Sequence, residues 1–397
     1  LTDIAITGIG ILDSIGSNLT SNFEKICNGY SSISPISNYD VNTYPIIPIK
    51  HGHELSKDFN LDDVLKKHEL RHLDRFILAG LFAAKEAIGD ANIKSKNVGI
   101  IYSSLHAGSE TLHETHQHLL QNKKSHIKKM LSSSRDYLSN LISQKFGFTG
   151  VNLCITSACS AGIVGLDYAS KLLQSGMYDC VIVGGVDLMV DPFSMYTFSS
   201  FGAMDTSENP KLKPFDKNRK GFTMGEGACC FVLEPLHKVK DKKIYGTIKG
   251  IGLSNEAFHD TSLSLDGIGA DISINLALQA SKLSYDDIDI INCHATGTEN
   301  GDLAEYNIIS KYFKQKPVSA LKANIGHTMG ACSLIEIAYG LESLRTSKLI
   351  PIINLDDPIG NEIYFPTVNQ TDSSLRHMLK NSFGFGGKCG SIIIERG

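Results

Sequence analysis

Apolar residues in this chain fall into short continuous runs, separated by longer stretches in which they recur every three or four positions. Short runs of this kind read as strands buried on both faces, and the spaced stretches as amphipathic helices. Strands are expected at Asp3 to Gly10, Val98 to Ser103, Val151 to Ser157, Cys180 to Val186 and Ala228 to Leu233. A second set is expected at Ile244 to Leu253, Ile290 to Cys293, Pro317 to Ala320 and Ser391 to Glu395. Helices are expected at Leu19 to Asn28, His68 to Ala91, Arg135 to Phe146, Ala161 to Leu173, Leu276 to Leu283, Leu303 to Phe313 and Met329 to Leu344. The helix ending at Ala91 gathers Leu73, Phe76, Ile77, Leu81, Ala84 and Ile88 on one side, and the one ending at Leu173 gathers Ile163, Leu166, Ala169, Leu172 and Leu173. Ile33 to Leu61, Phe193 to Lys213 and Phe215 to Glu226 read as irregular. Strand, helix and strand between Val151 and Val186 make a βαβ unit, hence a parallel sheet. The alternation continues to the end, so an α/β protein of two similar halves is expected, residues 1–240 and 241–397, although no internal repeat is strong enough to establish duplication.

Length supports two units, because 397 residues exceed one ordinary core. A hydrophobic share of 42%, a charged share of 20% and a net charge of -4 describe a globular chain with no global attraction to nucleic acid or membrane. No apolar run reaches the roughly 18–20 residues that span a bilayer, and Leu1 is not followed by a basic-then-apolar leader. The nine cysteines include no CxxC pair and no metal-finger spacing, so they read as reduced thiols of a cytoplasmic protein without a metal. Gly8-Ile9-Gly10 lacks the full GxGxxG of a dinucleotide site.

Candidate chemistry begins at Ala158-Cys159-Ser160-Ala161, a thiol among small residues where a strand becomes a helix. Unpaired N–H groups and the positive end of the helix dipole gather there, which favours thiolate and suits a developing oxyanion. The ordinary alternative is a buried core cysteine. Three later motifs carry further candidates: His294 in Cys293 to Glu305, Lys322 and His327 in Ser319 to Ala331, and Phe383 and Phe385 in the glycine-rich Asn381 to Gly390. Cys159, His294 and Lys322 each follow an expected strand, and ligands of open α/β sheets collect at the carboxyl ends of strands.

In this order and with these flanks, the motifs resemble the β-ketoacyl-acyl carrier protein synthases of the thiolase superfamily, nearest the synthase II type and its type II polyketide relatives. The resemblance runs from Ile6 to Gly16 through TSACSAG, GGVD and Lys213 to Ala228, and ends at NSFGFGGKCGSIII. It implies a thiolase-like five-layered αβαβα fold and a dimer. It implies that Cys159 takes an acyl chain from the phosphopantetheine of an acyl carrier protein, with no other cofactor, and that the backbone N–H groups of Cys159 and Phe385 form the oxyanion hole. His294 and His327 would hold the enolate left when a malonyl thioester loses carbon dioxide. Lys322 would organise the histidines with Glu336, a buried acid. Thr261, Thr296 and Thr298 would bind the pantetheine arm, Phe385 would gate the site, and His106 and Phe201 would border the acyl pocket. Relatives that condense without decarboxylation use a second cysteine, starter-type synthases pair a histidine with an asparagine, and chain-length factors lack the nucleophile.

The departures lie at the periphery. Lys388-Cys389 stands where Thr-Asn is common, Thr261-Ser262-Leu263-Ser264 replaces Thr-Ser-Pro-Pro, and His106 takes an aliphatic position. They suggest either a fatty-acid synthase II or a specialised polyene or polyketide synthase, working as a homodimer or with a chain-length-factor subunit. A non-condensing scaffold is the reading from another class. An acidic carrier calls for a local basic face, either Lys66, Lys67 and Arg71 or Lys123, Lys124, Lys128 and Lys129.

Overall fold

A computed structural model describes residues 3–60, 73–106, 108–239 and 241–397. Ten strands form the main sheet: β1 (Ile4–Asp13), β2 (Val98–Ser103), β3 (Asn152–Ile155), β4 (Cys180–Asp187), β5 (Gly227–Pro235), β6 (Gly246–Asn255), β7 (Ile290–Asn292), β8 (Val318–Ser319), β9 (His377–Gly384) and β10 (Lys388–Arg396). Their spatial order is β8-β7-β9-β10-β6-β1-β5-β4-β2-β3. Read outward from the centre, each half has the same order, β1-β5-β4-β2-β3 and β6-β10-β9-β7-β8. The directions match as well: in each half the two inner pairings are antiparallel and the two outer ones parallel. The duplication invisible in the sequence is therefore plain in the topology.

Among the described residues the half-sheets pair only where Ile4 to Ile6 of β1 meets Gly246 to Ile248 of β6. Between them lie two helices, α6 (Ala161–Gln174) and α11 (Cys332–Thr346). Alternate residues of each strand face the two sides. On β5, Cys229, Phe231 and Leu233 join the central core with Ile163 and Leu334, while Ala228, Cys230 and Val232 face outward to α2 (Arg75–Ala91). On β10, Ile392 and Ile394 face the centre and Ile393 faces outward to α8 (Ile268–Ser281). The result is the five-layered αβαβα arrangement.

The Gly-x-Gly of β1 has a packing role. A Cβ on Gly8 or Gly10 would meet the Ala87 or Ala83 carbonyl of α2 at 2.3 and 1.9 Å. In the second half Gly250 and Gly252 of β6 meet the Ala277 and Ser273 carbonyls of α8 at 2.2 and 1.9 Å. Each half thus brings its outer helix against its central strand through one Gly-x-Gly.

The remaining helices are α1 (Leu19–Cys27), α3 (Ser109–Leu120), α4 (Ile127–Ser132), α5 (Tyr137–Phe146), α7 (Pro192–Ser200), α9 (Glu299–Tyr312) and α10 (Lys322–Ile325). Several differ from the sequence reading. Phe193 to Lys213 begins with α7, whose Asp191 cap accepts a hydrogen bond from Ser194 N and whose first residue is Pro192. The helix expected at Leu276 starts eight residues earlier, at Ile268. The helix expected from His68 is described from Arg75, capped by Asp74; its first residues, with Lys66, Lys67 and Arg71, lie outside the described residues. Asn381 to Gly390, expected as a turn, is a hairpin of β9 and β10 closed around Phe385 to Gly387. Lys380 and Asn381 interrupt the apolar run there, yet both are fully buried.

Candidate active site

Cys159 sits between β3 and α6, and the residue before it, Ala158, has φ of +46°. Ala295, after His294, has φ of +32°, and Met329, two residues past His327, has +47°. Non-glycine residues rarely occupy this left-handed region, and such strain collects at functional sites. Here it adjoins all three reactive side chains.

These side chains converge. His327 Nε2 lies 3.1 Å from Cys159 Sγ, and the rings of His294 and His327 are 5.4 Å apart at 79°. All three are buried. Hydrogen bonds settle the tautomers. The Met329 N–H donates to His327 Nδ1 at 3.2 Å, so the one proton of the neutral ring sits on Nε2 and points at the sulfur. Lys322 Nζ, which can only donate, faces His294 Nδ1 at 3.3 Å, so His294 also carries its proton on Nε2. Burial and the Lys322 and Lys380 charges hold His294 well below the usual imidazole range, hence neutral.

Lys322 is anchored by the His294 carbonyl at 2.5 Å and by Glu336 Oε1 at 2.6 Å. The other oxygen of Glu336 pairs with Lys380, which also donates to the Cys293 carbonyl at 3.0 Å. Burial alone would lower the Lys322 pKa, but Glu336 outweighs it and holds it above the lysine range. Two lysines and one glutamate thus form a buried cationic unit behind the histidines. Glu305 fixes the turn after β7, accepting from His294 N at 2.9 Å and Ala295 N at 2.8 Å. Asp302 accepts from Gly297 N and Phe215 N, and burial pushes it up to about 7.

The expectation of a resting thiolate is overturned. Hydrogen bonding with Cys332 and burial hold Cys159 well above the ordinary thiol range, and α6 begins two residues beyond it. Although Cys159, His294 and His327 place ligand atoms within 4.8 Å of one another, they do not suit a cation. Each Nδ1 already accepts a hydrogen bond, so neither Nε2 has a free lone pair, and Lys322 adds positive charge.

A cavity of about 450 Å³ opens onto Cys159. Every remaining residue singled out in the sequence, His106, Phe201, Thr261, Thr296, Thr298 and Phe385, lines it, while Lys322 and Glu336 stand behind it. Thr296 and Thr298 share a 2.9 Å hydroxyl contact, and the rings of Phe201 and Phe385 are 6.3 Å apart. The backbone beside Phe385 is held close to Cys159: a Cβ on Gly384 would come within 3.0 Å of Cys159 N.

Comparison with known proteins agrees with this geometry. Residues 1–239 match the β-ketoacyl synthase N-terminal domain and residues 245–356 the C-terminal domain. The chain belongs to the β-ketoacyl synthase family. It is 29% identical over 413 residues to 3-oxoacyl-[acyl-carrier-protein] synthase 2 of Vibrio cholerae serotype O1, with 99% of each chain covered. It is 29% identical over 410 residues to the protein of that name in Staphylococcus aureus strain COL, with 99% of this chain and 98% of the relative covered. Among solved structures it superposes on "The ishigamide ketosynthase/chain length factor" with a TM-score of 0.89 and 25% identity, over 100% of this chain and 99% of that one. A β-ketoacyl synthase from Burkholderia phymatum STM815 shares the fold at TM-score 0.89 and 23% identity, over the whole of both chains.

For this family member the sequence reading missed Lys380, Cys332, Ser382 and Glu305. Ser382 donates to the Cys159 carbonyl at 2.7 Å and Cys332 Sγ to the same oxygen at 3.5 Å. Lys380, directly after Met378-Leu379 and shortly before Phe383, is the one signal that was available.

Proposed function

We propose that this protein is a β-ketoacyl-acyl carrier protein synthase, an acyltransferase that lengthens an acyl chain by two carbons from a malonyl thioester. The observation that carries the reading is the pair of histidines beside Cys159, each with Nδ1 occupied and Nε2–H free to donate. Two such donors suit an oxygen on which negative charge develops.

In the first half-reaction Cys159 Sγ attacks the thioester carbonyl of an acyl carrier protein. The carbonyl oxygen is held by the N–H groups of Cys159 and Phe385 while the carbon–sulfur bond to pantetheine breaks. The departing pantetheine sulfur takes the proton that Cys159 loses. In the second, a malonyl thioester enters past Thr296 and Thr298 and its bond to the carboxylate breaks. Carbon dioxide leaves, the electron pair passes to the thioester oxygen, and His294 and His327 hold the resulting enolate. Its carbon then attacks acyl-Cys159, expelling the thiolate and releasing a β-ketoacyl thioester. The Lys322–Glu336–Lys380 unit supplies positive potential and orientation without touching substrate.

The partners under this reading are an acyl carrier protein and a second subunit of the same fold, either another copy or a chain-length-factor-like chain. The Lys123 to Lys129 segment is the candidate docking face among the described residues. Intact-mass spectrometry with an acyl-carrier thioester tests the reading. An acyl adduct mapped to Cys159 and lost in Cys159→Ala supports it, and an adduct that persists in that variant refutes it.

A further inference from the structure

One wall of the cavity is a connected series of rings. Phe222 packs on His327 at 5.3 Å between centroids, Phe198 on Phe222 at 6.1 Å, Phe201 on Phe198 at 5.8 Å, and His106 on Phe198 at 6.1 Å. Starting from the reactive centre, His106 is the ring at which this apolar surface becomes polar. A second aromatic, Phe193, stands 6.2 Å from its other side. A wall of this kind stabilises the hydrocarbon of an acyl chain by about 0.8 kcal/mol for each buried CH2.

His106 does not fit that role. Its Nδ1 is buried and has no hydrogen-bond partner among the described residues. The backbone that carries it is fixed. Asp187 accepts hydrogen bonds from Ser104 Oγ at 2.7 Å, Leu105 N at 3.0 Å, His106 N at 3.2 Å and Gly330 N at 2.7 Å. One buried carboxylate therefore ties the His106 segment to the turn that follows His327. The imidazole is held in register with the catalytic residues, at a cavity wall, with a nitrogen left unsatisfied. A buried unpaired polar atom is costly and calls for an explanation.

We propose that His106 is a specificity-determining residue that pairs with an oxygen on the acyl chain, so that the preferred substrate is an oxygenated acyl thioester, bearing a keto or hydroxyl group, rather than a saturated one. The inference rests on the reading of the protein as a β-ketoacyl-acyl carrier protein synthase. An imidazole carrying one ring proton has one donor and one acceptor nitrogen, so it can donate to a ketone or accept from a hydroxyl. A saturated chain in the same place offers the ring no partner, and that difference corresponds to roughly a five- to hundred-fold preference.

The experiment compares carrier-bound acyl chains of matched length, saturated or with a single ketone moved along the chain. It reads the rate at which Cys159 is acylated in the wild type, His106→Leu and His106→Gln. Wild type should favour at least one ketone isomer over the saturated chain within that range. His106→Leu should lose or reverse the ratio, and His106→Gln, which keeps hydrogen-bonding atoms, should retain part of it. A wild type that prefers the saturated chain over every ketone isomer overturns the proposal. So does a ratio unchanged in His106→Leu, the result expected if ordered water satisfies the ring. Acylation by no carrier thioester at all, acetyl included, would instead overturn the functional reading on which the proposal rests.

Discussion

After the third strand of each half the chain turns toward the same cavity, yet it delivers a thiol in the first half, Cys159 after β3, and a lysine in the second, Lys322 after β8. After the second strand the contrast repeats, with Ser104 to His106 following β2 and His294 following β7. The first half surrounds its reactive atom with small side chains and ties its loops through single carboxylates such as Asp187. The second buries a charged unit, with Glu336 between Lys322 and Lys380. One topology used twice buries lysines behind the cavity on one side only, among the described residues. A nucleophile that takes up an uncharged acyl group needs access, whereas stabilising an enolate needs fixed positive potential in a dry site.

The sharpest test of that asymmetry is Glu336→Gln. It leaves two lysines buried without their carboxylate, and breaking such a pair costs about 3–5 kcal/mol. Urea unfolding should show a loss of that size, and decarboxylation should fall with it. A loss under about 1 kcal/mol would mean that the charged unit is not what distinguishes the second half.

The shared scaffold predicts equal effects on the two sides. Gly10→Ala and Gly252→Ala each drive a methyl into a helix carbonyl at 1.9 Å, so each should destabilise by about 1–3 kcal/mol or more, with similar values. A large cost in one half and none in the other would break the pseudo-symmetric account of packing.

A further effect concerns acid. His53 is buried between Ser32 Oγ and Thr223 Oγ1 at 2.8 and 3.0 Å, and burial pushes it down to about 3 from 6.5. The unfolded chain takes up a proton there near pH 6.5 and the folded one does not. Stability from this group is therefore complete above that pH and falls by about 1.4 kcal/mol per unit as the pH drops toward 3. In His53→Gln the fall should be shallower by that slope. Equal slopes would show that His53 is protonated in the folded protein.

How much of this was legible in the sequence follows from the physics of each part. Continuous apolar runs such as Val98 to Ser103 and Cys180 to Asp187 announce strands because both faces are buried. β9 does not, because Lys380 and Asn381 are polar residues made tolerable only by Glu336 and Glu305 from elsewhere in the chain. α7 was hidden by serine and threonine, though Asp191-Pro192 is a cap signal. Duplication was hidden because each half keeps only its packing constraints, of which Gly8-x-Gly10 and Gly250-x-Gly252 are the visible trace. Cys159, His294, Lys322 and His327 were found through their motifs. The tautomers of the histidines and the raised Cys159 thiol depend on contacts with Met329, Lys322 and Cys332 that no local pattern contains.

A division of labour follows, in which the first half accepts the acyl group and the second stabilises the enolate. It is tested most directly by measuring both half-reactions, acylation of Cys159 by intact mass and carbon dioxide release from malonyl carrier, in His294→Ala and His327→Ala. The account predicts that His294→Ala still acylates Cys159 while carbon dioxide release drops on the order of a hundred- to a thousand-fold, since losing one oxyanion donor has that effect. His327→Ala should show the same drop, with acylation also slowed because it removes the Nε2–H that faces the sulfur at 3.1 Å. Carbon dioxide release that survives both substitutions, or acylation and release falling in equal proportion in His294→Ala, would contradict the division of labour between the two halves.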